Sequence, residues 1–206
     1  PGPHARVHGA DGLAAHAGGA PGGAPGGAPG GAPGRRPPSM ETMPFELPQN
    51  LHPDCGPVAW LLGRWGGHGK GDYPTIEAFD YGQELVFQQD GRPFFHYFAR
   101  SWIVDEAGEK VREAGQETGF LRCRPEGKVE LLLSHASGIS EIWYGQAADG
   151  KLELHTAGVS FTESAKEVTG GHRLYGNVEG RLLYAYDMAA VGQELQPHLW
   201  AQLERQ

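Results

Sequence analysis

From Arg64 to the C-terminus, apolar residues recur at every second position in short runs broken by turn residues. That is the period of a half-buried β-strand rather than of a helix. Leu152-Glu153-Leu154-His155 alternates cleanly, as expected of a sheet wet on one face and covered on the other. Asp90-Gly91, Ala107-Gly108, Glu126-Gly127, Asp149-Gly150 and Glu179-Gly180 each separate two such segments, the signal of successive hairpins. The pattern predicts strands over 64–71, 78–88, 93–104, 110–124, 129–134, 139–145, 151–157, 167–175 and 181–188. Before them, Pro57 to Leu62 reads as a short helix. After them, Leu195, Leu199 and Leu203 fall four apart beside Trp200, and Pro197 would interrupt a central ladder. Gln193 to Leu203 therefore reads as an irregular or helical entry into a short last strand.

A meander of nine or ten antiparallel strands exposes long edges unless it closes on itself. The expected fold is all-β, a closed antiparallel up-and-down β-barrel of about ten strands enclosing a cavity. Its first strand is unusual. Gly63, Gly67, Gly69 and Gly71 share one face with Trp65, so four positions on that face carry no side chain and something bulky can approach the backbone. This is not a phosphate loop, because neither a Lys-Ser/Thr pair opening a helix nor a GxGxxG between strand and helix is present.

Composition divides the chain. Glycine, alanine and proline make up 29 of residues 1–40, with GGAP repeated from Gly18 to Pro33. Such a segment cannot offset its ordering entropy and is expected to be a disordered tail before a domain over 41–206. The segment lacks the basic start and apolar core of a signal peptide, and the start at Pro1 reads as a processed or partial product. Of the 17 basic and 25 acidic residues, the tail holds Arg6, Arg35, Arg36 and Asp11, which leaves 14 basic and 24 acidic residues in the domain. That balance argues against nucleic acid and anionic membrane as main partners. No apolar run approaches the roughly 20 residues of a membrane-spanning helix. Cys55 and Cys123 form neither a CxxC motif nor a disulfide framework, so a reduced, cytoplasmic setting is expected.

No GxSxG elbow, HExxH helix or paired-cysteine motif occurs, which leaves hydrolase and zinc-enzyme chemistry without support. The domain holds seven histidines: His52, His68, His96, His135, His155, His172 and His198. His68 and His172 read as surface or glycine-flanked loop positions, and His96, between Phe95 and Tyr97, could equally be a ligand or a core histidine. His198 is a polar residue near the C-terminus, or an imidazole among large apolar neighbours of the kind that suits a haem ligand. Glu117 and Asp187 could line a pocket, with no catalytic role assigned.

Gly63-x-Trp65-x-Gly67-x-Gly69-x-Gly71-x-Tyr73-Pro74-Thr75, placed beside Leu195-Gln196-Pro197-His198-Leu199, resembles the nitrobindin family of haem-binding peroxynitrite isomerases. Glu117 to Arg122, Ser137 to Glu141, Ser164 to Val168 and Met188 to Gln193 are also similar to segments of that family, in the same order. The resemblance implies a ten-stranded barrel shaped like lipocalins and fatty-acid-binding proteins, with one haem b in one mouth. It implies His198 as axial iron ligand, Thr75 against the haem, Lys166 as a haem contact near a propionate, and the glycine strand bordering the cofactor. One departure is Gly115, where family members commonly carry His two residues before the glutamate.

The activity implied is isomerisation of peroxynitrite to nitrate at a ferric, His198-ligated iron, with Lys166 and Arg122 as candidates for steering the anion. A nitric oxide carrier or sensor would need the same iron without turnover. A lipocalin-like binder of apolar small molecules would need no haem.

Overall fold

The computed structural model describes residues 46–206, so the expected tail lies outside the described residues. A 3₁₀ helix over Pro53–Leu61 is followed by ten strands: β1 (Gly63–Tyr73), β2 (Ile76–Gln88), β3 (Phe94–Val104), β4 (Lys110–Cys123), β5 (Lys128–His135), β6 (Ile139–Ala148), β7 (Lys151–Phe161), β8 (Val168–Val178), β9 (Arg181–Ala190) and β10 (Gln196–Arg205). Each strand pairs antiparallel with its sequence neighbours, and β1 closes the barrel against β10. Closure leaves no exposed edge, which is why an alternating meander of this length adopts it.

The turns are built from the residues the pattern singled out. Asp149-Gly150 and Glu179-Gly180 both hold positive φ at both positions (51° and 73°, 52° and 80°), the backbone that two-residue hairpins demand. Inward positions carry the core. Trp65, Tyr81, Leu85, Phe95, Tyr97, Leu121, Leu131, Trp143, Leu152, Leu154, Tyr175, Leu182 and Leu203 are buried. The 3₁₀ helix plugs the mouth at the β2–β3 end with Cys55, Val58 and Leu61, and Trp65 Nε1 donates to Leu61 O at 2.7 Å.

The structure sharpens three expectations. The last segment enters irregularly over 193–195, as expected, but its strand is longer than expected, ten residues from Gln196 to Arg205; Pro197 is tolerated near its start, where β10 pairs with β9 and the β1 ladder begins only at Leu199. Many aromatic side chains are buried in the interior, and a concavity of about 650 Å³ lies on the outer face, lined by Val86, His96, Phe98, Phe120, Leu132 and Ile142. What approaches the glycines of β1 is protein. A Cβ at Gly67 would stand 2.9 Å from Leu203 Cα, and one at Gly69 would stand 2.8 Å from Ala201 Cβ and Tyr81 Cε1. At Gly71 the ring of Phe79 occupies the space. Gly63 keeps φ at +111°, and Trp65 is buried between it and Gly67.

Candidate functional site at the open mouth

The mouth away from the 3₁₀ helix is formed by the β1–β2, β3–β4, β5–β6, β7–β8 and β9–β10 connections. His198 sits in its wall. Along the β9–β10 ladder, β10 advances from Leu199 to Pro197 while β9 advances only from Tyr186 to Asp187. His198 is therefore the extra residue of a β-bulge, a device that re-aims a side chain out of the alternating pattern. The bulge turns the imidazole in among inward-facing rings. Tyr73, Tyr186 and Phe79 surround it at centroid distances of 5.2, 5.9 and 6.4 Å.

One polar contact fixes the ring. Asp72 lies across from His198 on β1, and its carbonyl oxygen is 3.0 Å from His198 Nδ1. A carbonyl only accepts, so Nδ1 carries the proton and Nε2 is left with a free lone pair. Burial pushes the His198 pKa below its ordinary value, only partly offset by the bond to Asp72, and so favours the neutral imidazole.

The other positions singled out in the sequence gather at the same mouth. Thr75 is exposed in the two-residue turn that joins β1 to β2, three residues from Asp72. Lys166 is exposed in the β7–β8 connection, two residues before Val168. Val168 packs with Tyr73 and Ala190 in a small cluster at this end, and the Tyr73 hydroxyl accepts from Ala190 N–H at 2.9 Å. Arg122 does not belong here. It faces outward toward the far end of β4 and pairs with Glu130 at 2.7 Å. Gly115 lies on β4 near the rim, with its N–H donating to Ser101 Oγ at 3.0 Å, and a Cβ there would stand 3.2 Å from that hydroxyl.

Inside the barrel is a polar network that the sequence reading did not assemble. Arg173 is 2 % exposed and donates to Glu117 through both Nη1 and Nη2, at 2.7 and 2.9 Å. The Tyr97 hydroxyl donates to Glu117 at 2.6 Å, and His135 bridges Glu117 (3.3 Å) and Glu141 (2.8 Å). Trp143 Nε1 donates to Glu141 at 3.2 Å, and the guanidinium lies over the Trp143 and Tyr186 rings. Tyr186 thus touches both Arg173 and His198, joining the network to the mouth. Burial alone would raise the Glu117 carboxyl; Arg173, His135 and Tyr97 override it and hold it down to about 2. The signal was available in the alternation, since Glu117, Glu141 and Arg173 all fall in phase with buried neighbours (Leu121, Trp143 and Tyr175).

The remaining histidines lie elsewhere. His96 is exposed on the outer face against Phe94 and Phe120 rather than in the core, and His68 is exposed on β1. His172 is not in a loop: it lies in β8 on the outer face, between Glu153 at 3.0 Å and Asp187 at 3.2 Å.

Three comparisons bear on this arrangement. The profile of the family described as "THAP4-like, heme-binding beta-barrel domain" matches residues 54–205. A protein of Nocardioides sp. strain JS614 named peroxynitrite isomerase is 80% identical over 164 residues, covering 80% of this chain and 100% of that one. A ferric nitrobindin-like protein of Streptomyces griseus is 40% identical over 162 residues, covering 78% of this chain and 85% of that one. Among solved structures, Rv2717c from M. tuberculosis superposes with a TM-score of 0.69 at 40% identity, over 76% of this chain and 99% of that chain. With the barrel, its bulged histidine and these matches together, the chain belongs to the THAP4-like haem-binding β-barrel family.

Proposed function

We propose that this protein is a peroxynitrite isomerase that holds one haem b at the open mouth, with His198 as the axial ligand. The observation that carries the site is the state of His198: a largely buried imidazole whose Nδ1–H is committed to the Asp72 carbonyl and whose Nε2 is free. A backbone carbonyl behind a histidine is the usual means of fixing its tautomer and raising its strength as a metal ligand. The rings of Tyr73, Phe79 and Tyr186 supply the apolar wall that a macrocycle needs. The donor set therefore fits haem in kind: one neutral nitrogen, aromatic surroundings, and a rim open to solvent.

The chemistry supplied by the bound group is the rearrangement of peroxynitrite to nitrate at a ferric iron. An isomerisation leaves atoms and charge unchanged, so the chain has only to hold, orient and admit. His198 holds through Nε2, and Asp72 keeps the ring from turning. Tyr73 and Tyr186, packed against the imidazole, would limit the access of water to it. Lys166 offers a cation on the rim, and Thr75 a hydroxyl, in a domain whose 24 acidic and 14 basic residues would otherwise repel an anion. Peroxynitrite is the substrate in this reading, and nitric oxide a second small-molecule partner. Two buried free thiols, Cys55 and Cys123, accord with a cytoplasmic setting. The isomerase reading draws on the Nocardioides relative, which matches over its whole length.

Titration of the purified chain with haemin tests the site. The expected result is a saturable Soret band at one haem per chain, lost in His198→Ala and weakened but retained in Thr75→Ala and Lys166→Ala. A His198→Ala variant with an unchanged Soret band would remove His198 from the site.

A further inference from the structure

A second cluster of ligating side chains lies outside the barrel, on strands that contribute nothing from that face to the mouth. On β7 and β8 the residues His155 and His172 are direct cross-strand partners, and their rings stack at 4.6 Å with an interplanar angle of 16°. Glu153 precedes His155 by two residues and shares its face. Its Oε1 lies 3.0 Å from His172 Nε2 and 3.9 Å from His155 Nε2. One oxygen and two imidazole nitrogens thus converge, with all three ligand atoms within 4.8 Å of one another. Asp187, the partner of His172 on β9, places Oδ2 3.2 Å from His172 Nδ1.

The groups divide the work as a metal site requires. With Nδ1–H given to Asp187, His172 turns its Nε2 toward Glu153 and His155. Lys151 occupies the other oxygen of Glu153, with Nζ to Oε2 at 2.7 Å, so Oε1 is the atom left to ligate. Zinc bonds of about 2.0–2.1 Å in tetrahedral geometry set ligand atoms roughly 3.3 Å apart, which side-chain rotation reaches from the present spacing without moving the ladder. Two imidazoles and one carboxylate select zinc, copper or nickel over magnesium or calcium.

We propose that Glu153, His155 and His172 form a surface site for a divalent cation of the zinc type, ligated by Glu153 Oε1 and the two Nε2 atoms, with Asp187 as a positioning residue. The proposal is independent of the haem site proposed at the mouth.

Calorimetric titration of the chelator-treated full chain with zinc chloride tests it. His4, His8 and His16 also lie in the chain, so the reading is the difference between variants. The wild type should take up one zinc more per chain than His155→Ala or Glu153→Gln. Asp187→Asn should keep that stoichiometry and bind about 10- to 100-fold more weakly, with an unchanged melting temperature in the absence of zinc. Zinc-soaked crystals of the wild type should show an anomalous peak between β7 and β8. Wild-type stoichiometry and affinity in His155→Ala and Glu153→Gln, or no peak at that position, would overturn the proposal.

Discussion

At the scale of single residues, the costliest group in the barrel is Arg173, buried at 2 % exposure and held by Glu117 with Glu141 close by. Removing one member of a buried ion pair strands the other, at a cost of about 3–5 kcal/mol. Arg173→Met should therefore lower the unfolding free energy by that amount in denaturant melts, although methionine is the more apolar side chain. Glu117 adds a pH signature. Its carboxyl is depressed from the ordinary 4.5 to about 2, so its stabilisation is complete above pH 4.5 and is lost as pH falls toward 2. The stability gap between wild type and Glu117→Gln should be constant from pH 7 to about 5 and narrow below it, as read from denaturation midpoints across that range. Glycines give a second contrast at this scale. Gly67→Ala should cost at least about 1–3 kcal/mol, because its Cβ would press on the β10 backbone. Gly176→Ala should be neutral or stabilising by up to about 1 kcal/mol, since nothing lies within 4 Å of the added carbon. Equal thermal shifts for the two variants would contradict the view that the β1 glycines exist for strand packing.

At the scale of elements, the strands were legible wherever alternation and a glycine turn coincided, as at Asp149-Gly150 between β6 and β7. The last strand was legible but its start and length were not, and the reason is local. Leucines four apart mimic a helical face, and the proline rule assumes that every strand residue needs its N–H. Here Pro197 precedes the β1 ladder and flanks the bulge, so neither rule applies. The bulge itself is invisible in the alternation, yet it is what carries His198 inward. The turn feeding this strand is strained: Val191 holds φ at +47°, a conformation that β-branched residues strongly disfavour. Val191→Asn should raise stability by about 1 kcal/mol, visible as an increase of a few degrees in melting temperature; a decrease would mean that the valine side chain contributes more than its backbone costs.

At the scale of the molecule, a meander that must hide its edges was enough to infer closure, and the family motifs single out residues that the fold gathers at one mouth. Composition argued against nucleic acid as a main partner but said nothing of the interior. Barrel size suggested an enclosed cavity, and Trp65, Trp143 and several tyrosines are buried in the interior. Glu117, His135 and Glu141 come together on the consecutive strands β4, β5 and β6, whereas Arg173 on β8 reaches them only across the barrel interior, 56 residues from Glu117, so reading motifs in pairs could not join it to them. The same closure sets Asp72 on β1 against His198 on β10, 126 residues apart, and so produces the oriented imidazole on which the functional reading depends.

The most direct test of that reading is stopped-flow decay of peroxynitrite with haem-loaded protein, following nitrate as the product. The account predicts acceleration proportional to holo-protein concentration, nitrate as the sole added product, and loss of both in His198→Ala. Decay at the buffer rate in the presence of fully haem-loaded wild-type protein would contradict it.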